Sequence, residues 1–154
     1  MKTICISILL LGLTLKGFAQ NSKDEAAIKA VVEKETQSFI DRDAAAMISC
    51  HAYKPYSLML VAESGNVHYT PANPNEDVEK STKEFMTMLG KPNGDTFKDF
   101  NYVIRINGTS AFAYYDQTVK ATNGVETNFH EVRYLEKMGE AWKIVYVGAV
   151  GYKP

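Results

Sequence analysis

The chain has only two cysteines, and Cys5 lies in an amino-terminal stretch that reads as a leader, which leaves Cys50 without a partner. An intrachain disulfide is thereby excluded from the mature chain. A lone thiol in an apolar helical segment reads as a small packed hydrophobe rather than a nucleophile. The three histidines, His51, His68 and His130, show no HxH or HExxH spacing and no paired cysteines, so the sequence predicts no metal site and no cofactor. Glycine-rich phosphate loops and the GxSxG elbow are also missing, which leaves nucleotide use and serine hydrolysis without support. Lysine and arginine are scattered rather than gathered into a stripe, so no nucleic-acid partner is expected. Internal repeats and low-complexity linkers are absent. The apolar run from Ile4 to Leu15 falls well short of the roughly 20 residues that a membrane-spanning helix needs.

That run has another use. Met1-Lys2 gives it a positive start, and Gly17-Phe18-Ala19 supplies the small residues that a signal peptidase reads. Residues 1–19 are therefore expected to be an export signal, with the mature chain beginning near Gln20 or Asn21 in the periplasm or outside the cell. No cysteine stands at the cleavage site, so neither a lipid anchor nor a membrane partner is expected after cleavage. About 135 residues remain, enough for one domain over 20–154 and too few for two. Of 17 basic residues the leader removes Lys2 and Lys16, leaving 15 against 18 acidic ones and a net charge near −3.

Ile28, Val31, Val32, Glu35 and Phe39 recur at helical spacing, so Lys23 to about Ile40 is expected to form an amphipathic helix. Glu35 is the exception on its apolar face, either snorkelling to the margin or entering a cavity as an acid or base. Asp43 is placed to cap a short second helix, Ala44 to about His51. Tyr56 to Ala62 and Asn66 to Thr70 then read as short strands joined by a turn at Glu63-Ser64-Gly65. Asn73 as cap, Pro74 and Glu76 open a third helix that carries Val78, Thr82, Phe85 and Leu89 and stops at Gly90 and Pro92.

The last third is strand-like, ending in Val125 to Tyr152 with a tight turn at Met138-Gly139-Glu140. Asn107-Gly108 and Asn123-Gly124 suit two-residue type I′ hairpins. With those loops Asp99 faces Asp116 and Asp116 faces Glu131. One sheet face then gathers Asp99, Asn101, Tyr114, Asp116, Glu131 and Arg133 with Phe112, Phe129, Leu135, Trp142, Ile144 and Tyr146. The opposite face carries Tyr102, Ile104, Ala111, Ala113, Tyr115, Val132 and Tyr134. Carboxylates among so much apolar bulk must be paired or line a wet pocket, and like charges side by side raise one proton affinity toward the range of a general acid or base. Asp116 and Glu131 are the candidate acid/base pair. Asp99, Asn101, Tyr114, Arg133, Trp142, Tyr146, Glu35 and His51 are candidate pocket-lining residues, with the tyrosines as hydroxyl donors to a developing oxyanion.

The order of these elements, the Phe39-Ile40-Asp41-Arg42-Asp43 junction, and Arg133-Tyr134-Leu135-Glu136-Lys137 followed by Gly139 and Trp142-Lys143-Ile144 together resemble the nuclear transport factor 2-like superfamily. Within it the chain is similar to the SnoaL-like, ketosteroid-isomerase-like group of secreted bacterial domains of unknown function. The resemblance covers essentially all of the mature chain and rests on fold signatures. It implies an α+β, cystatin-like cone: a strongly curved antiparallel sheet wrapped around three helices from the N-terminal half, with an apolar cavity open at one end. It also implies that His51 lies near the cavity mouth and that two chains pair through the outer sheet face as a homodimer. The superfamily includes ketosteroid isomerase, scytalone dehydratase, polyketide cyclases and many members without enzymatic activity, and no catalytic motif of theirs is matched here, so fold alone does not decide function. The leading expectation is a domain that binds a small, mostly apolar molecule without turning it over. The alternatives are a cofactor-free lyase or isomerase and a dimeric assembly module.

Overall fold

The computed structural model describes residues 4–63, 65–73 and 76–153, with side chains from residue 22 onward. The export signal expected over residues 1–19 falls on positions whose side chains lie outside the described residues. Among the described residues no helix is long and apolar enough to cross a membrane.

Three helices come early: α1 (Ile4–Asp41), α2 (Ala44–Cys50) and α3 (Val78–Leu89). Ile28, Val32 and Glu35 are buried on α1, as the expected stripe requires, but Phe39 of that stripe is exposed and its neighbour Ile40 is buried instead. Arg42 and Asp43 separate α1 from α2, and Asp43 caps α2 through Oδ1, which accepts from the Ala46 amide at 2.9 Å. The third helix starts later than the Asn73 cap predicts. Asp77 is the cap, its Oδ1 accepting from Lys80 N at 3.1 Å, while the Asn73 carbonyl accepts from Glu76 N at 3.1 Å. Gly90, at φ 83°, ends α3 where expected.

The strands are β1 (Leu58–Glu63), β2 (Asn66–Pro71), β3 (Thr96–Asn107), β4 (Ser110–Lys120), β5 (Glu126–Met138) and β6 (Ala141–Tyr152). They form one sheet in the order β2-β1-β6-β5-β4-β3. The fold is α+β, as expected. One pairing departs from the antiparallel pattern: β1 runs parallel to β6, from Leu58 opposite Tyr146 to Ala62 opposite Val150. His51 extends that contact as a parallel bridge to Ile144. β2 sits at the free edge and is exposed at each of its six positions.

Near the turns at Gly108 and Gly139, the helix-facing side of the sheet is dry. Ala111, Ala113, Leu135, Trp142, Ile144 and Val147 pack there with Ile28 of α1 and Cys50 of α2. Each large aliphatic side chain buried in this way contributes about 1.5–3 kcal/mol. Cys50 is 1% exposed, a packed thiol. Trp142 belongs to this core and not to a pocket lining: it is 3% exposed, and its Nε1–H donates to Asp24 Oδ1 at 3.0 Å.

The strand register differs from the expected one at four places. The first hairpin turns at Gly108-Thr109 rather than Asn107-Gly108, with Asn107 opposite Ser110, a two-residue change of partner that leaves the faces as they were. Each of the other three changes which residues share a face. Residues Asn101 and Tyr102 form a bulge, so the pair Phe100–Asp116 gives way to Val103–Tyr114, and Asp99 pairs with Gln117. The β4–β5 connection is a five-residue loop, 121–125, which puts Asp116 opposite His130 and Glu131 opposite Tyr115. A second irregularity sets Tyr134 opposite Tyr146 while Leu135 faces Ile144, so Val145 is the extra residue. Because side chains alternate, each one-residue offset exchanges the two faces. Asp99, Glu131, Arg133, Leu135, Trp142 and Ile144 share the helix-facing side, now with Tyr102, Ala111, Ala113 and Tyr115. Asn101, Tyr114, Asp116 and Tyr146 go to the outer side with Val132 and Tyr134.

Candidate functional site

One step further from the Gly108 and Gly139 turns, the helix-facing surface becomes polar. Arg133 on β5 is 4% exposed and holds two acids from different elements. Its Nη1 donates to Glu131 Oε2 at 2.6 Å and its Nη2 to Glu35 Oε2 of α1 at 3.0 Å. His51, leaving α2, brings Nε2 to 3.6 Å from Glu35 Oε1. Beside them Gln117 Nε2 donates to Asp99 Oδ1 at 2.9 Å and to Thr36 Oγ1 at 3.3 Å, and the Tyr102 hydroxyl donates to Asp99 Oδ2 at 3.0 Å. The rings of Tyr102 and Tyr115 stack at 4.9 Å, and the Arg133 guanidinium carbon lies 5.7 Å from the Tyr115 ring centre.

Two donors in this layer are left over. Tyr115 Oη and Arg133 Nε are buried and have no hydrogen-bond partner among the described residues. Such groups are uncommon in folded proteins, because an orphaned buried donor costs about 1–3 kcal/mol.

The acids of the layer titrate in opposite directions. Burial is the largest influence on Glu35 and pushes its proton affinity up, but the Arg133 ion pair and the His51 contacts together outweigh it and bring the carboxyl from 4.5 down to about 2. Glu131 shifts upward instead: burial dominates, the Arg133 charge and hydrogen bond only partly oppose it, and Glu35 and Asp99 add like-charge repulsion. Asp99 is raised for the same leading reason, against the hydrogen bonds from Gln117 and Tyr102. Burial pushes the Tyr115 hydroxyl well above its ordinary value, so it stays a donor. Chemically, the layer holds two unpartnered buried donors and a carboxyl, Glu131, whose proton affinity is raised above that of an ordinary glutamate.

Exposed aromatic rings adjoin the layer. Phe39, one turn beyond Glu35, contacts Phe85 of α3 with ring centres 6.4 Å apart, and Tyr53 stacks on His51 at 5.8 Å. All three rings are accessible.

The outer face carries a second polar constellation. Asp116 accepts from Asn101 Nδ2 at 2.8 Å through Oδ2, while its Oδ1 lies 2.8 Å from His130 Nδ1. The Tyr114 hydroxyl is within 3.3 Å of the same carboxylate oxygen and 3.0 Å of the imidazole, and Tyr152 stacks on that ring at 4.2 Å. Asn101 reaches Asp116 from a left-handed backbone conformation, φ 55°, at the bulge. Its hydrogen bond, followed by that of His130, holds the Asp116 carboxyl below the ordinary range against the smaller effect of burial.

Of the sequence candidates, Glu35, His51, Asp99, Glu131 and Arg133 come together beneath the helices. Asp116, Asn101, Tyr114 and Tyr146 are on the opposite side of the sheet, and Trp142 is in the dry core. The pairing of Asp116 with Glu131 is therefore corrected: the five-residue loop sends them to different faces. Hydrophobic patterning alone does not mark Tyr102, Tyr115, Gln117 and Thr36 as pocket residues, nor His130 as the partner of Asp116. The alternation Ala111, Ala113, Tyr115, Gln117 was the available signal, small residues at the packed end giving way to large polar ones.

The chain matches no protein-family model and no curated protein. Solved structures share its fold. A protein of unknown function with a cystatin-like fold from Nostoc punctiforme is 14% identical, with a TM-score of 0.64 over 84% of this chain and 91% of that one. A nuclear transport factor 2-like protein of unknown function from Shewanella baltica is 15% identical, with a TM-score of 0.60 over 86% and 97%. A candidate dehydratase of the nuclear transport factor 2-like family from Streptomyces avermitilis is 12% identical, with a TM-score of 0.65 over 87% and 99%. The chain thus has the nuclear transport factor 2-like fold. At these identities the likeness fixes architecture and says nothing of chemistry.

Proposed function

We propose that this domain binds a small, mostly apolar molecule between the helices and the sheet, with an oxygen of the ligand accepting hydrogen bonds from Tyr115 and Arg133. The single observation that carries this reading is the pair of unpartnered buried donors, Tyr115 Oη and Arg133 Nε, on neighbouring strands. A carbonyl or hydroxyl oxygen placed between them would answer both, and the accessible rings of Phe39, Tyr53 and Phe85 suit an apolar body. The test is a thermal-shift screen of steroids, aromatic polyketide-like compounds and lipids, followed by NMR of the Arg133 Nε–H resonance. Hits that move that resonance without turnover support the reading; hits that leave it unmoved refute it.

A second reading, a cofactor-free lyase or isomerase, is favoured by Glu131, whose raised proton affinity beside the two donors suits an acid/base role. Turnover of a screen hit that disappears in Glu131→Gln would select it over plain binding. Pairing of two copies through the outer face is also part of the proposal. Phe112, Val103 and Val150 are 42%, 43% and 50% exposed there, more apolar surface than a solvent-facing sheet needs. Export to the periplasm or beyond, carried by residues 1–19, completes it.

A further inference from the structure

Away from the polar layer and sharing no residue with it, a cleft of about 420 Å³ opens where the α1–α2 junction meets α3, lined by Arg42, Ala44, Lys83, Met86, Thr87 and Gly90. The cleft is broadly open to solvent rather than enclosed, with room for a small guest lying along it. Arg42 occupies the left-handed region at φ 60°, which a side-chain-bearing residue adopts at a cost and glycine does not. The strained backbone presents a guanidinium whose Nη1 donates to the Phe39 carbonyl at 2.6 Å and whose carbon lies 5.0 Å from the Phe39 ring centre. Its Nε is buried without a hydrogen-bond partner among the described residues. The cleft therefore combines a cavity, a strained residue and an unanswered charged donor.

We infer that this cleft is a binding site for a small organic monocarboxylate, with the carboxylate on Arg42 and Lys83 and a short apolar chain against Met86 and Ala44. The charge fits a monoanion better than phosphate. Arg42 already spends Nη1 on Phe39, and Lys83 is ion-paired to Glu79 one turn away. Two acids flank the guanidinium in sequence, Asp41 accepting from Gln37 Nε2 and Asp43 capping Ala46, and both disfavour a doubly charged guest. Met86 is 3% exposed and supplies an apolar floor.

The backbone conformation of Arg42 makes the test unusually clean. Arg42→Gly removes the guanidinium together with its Phe39 contacts but relieves the left-handed strain, so the two changes offset and the variant should stay folded. Arg42→Asn, which also tolerates that region, keeps the test open should glycine loosen the junction. The full chain is titrated with sodium hexanoate and, separately, with inorganic phosphate, reading the amide resonances of Arg42, Thr87 and Gly90. Hexanoate is expected to move them saturably, with binding weakened roughly ten-fold in both Arg42 variants and less in Lys83→Gln. Identical titrations of the wild type and the Arg42 variants would overturn the inference. So would phosphate binding as tightly as hexanoate, or shifts that never saturate.

Discussion

Replacing Tyr115 by phenylalanine removes one oxygen from a residue with no exposed surface and leaves its packing in place. The stack on Tyr102 at 4.9 Å and the position of the ring 5.7 Å from the Arg133 guanidinium carbon do not need the hydroxyl. Ordinarily such a change costs a hydrogen bond. Here the hydroxyl has no partner among the described residues, so the variant sheds a desolvated polar group whose burial costs about 1–3 kcal/mol. Tyr115→Phe should accordingly be more stable than the wild type by about 1–2 kcal/mol, a rise of roughly 4–8 °C in Tm for a domain of this size. Urea denaturation followed by circular dichroism, with calorimetry beside it, measures both. The pH dependence adds a second reading. Burial raises the Tyr115 pKa well above 10.0, so the folded state keeps a proton that the unfolded chain releases as pH rises past 10. The wild type should then lose an increment of stability above pH 10 that Tyr115→Phe does not lose. A drop of about 1 kcal/mol or more on substitution at pH 7 would falsify the reasoning, since it means that the hydroxyl is satisfied.

Arg133→Leu leaves Glu35 and Glu131 buried without their counter-charge and should cost about 3–5 kcal/mol at pH 7; unfolding at pH 7 and pH 4 should show part of that loss recovered in acid, as the two carboxyls become neutral. In the wild type the Glu35 contribution has the opposite sign: its folded pKa is depressed, so the stability it adds is present above 4.5 and is lost as pH falls toward about 2, a limb that Glu35→Gln should flatten in acid denaturation curves. On the outer face Asp116→Asn should destabilise at pH 7 by an increment that shrinks as pH falls below 3.8, because the lowered carboxyl contributes only while ionised; a loss that stays constant into acid would show that charge is not the cause. A methyl group at Gly148 would sit 2.7 Å from the Tyr146 hydroxyl oxygen, so Gly148→Ala should cost about 1–3 kcal/mol and far less in a Tyr146→Ala background, as a double-mutant cycle would report.

The elements were legible in the sequence because their signals are local. The helical spacing of Ile28 and Val32, the Asp43 cap and the Gly139 turn each depend on a few neighbouring residues, and each lies where it was expected. The faces were less legible, since they depend on counting. Asn123-Gly124 does not close a two-residue hairpin: Asn123 Oδ1 accepts from Val125 N at 3.0 Å, and Ala121 N donates to Val125 O at 2.8 Å, which makes five residues of loop. At the other Asn-Gly pair the two-residue turn is Gly108-Thr109 rather than Asn107-Gly108: Asn107 pairs with Ser110, and Gly108 alone takes the positive φ, 59°. The bulges at Asn101 and Val145 leave no mark in hydrophobic periodicity, because an inserted residue merely restarts the alternation. Glu131 and Arg133 were nevertheless legible as neighbours on one face, whereas the Glu35 ion pair, which joins a helix to the sheet, was not.

The ribbon formed by β1 and β2 has a dynamic consequence. β2 meets water at all six positions, with Val67 and Tyr69 67% and 62% accessible, and only β1 ties it to β6. Little buried surface holds it down, so detaching it breaks one ladder and leaves the remaining five strands folded. Amide protons of Val67 and Tyr69 should therefore trade with deuterium long before those of Tyr115 or Arg133, and limited proteolysis should enter the molecule at this ribbon.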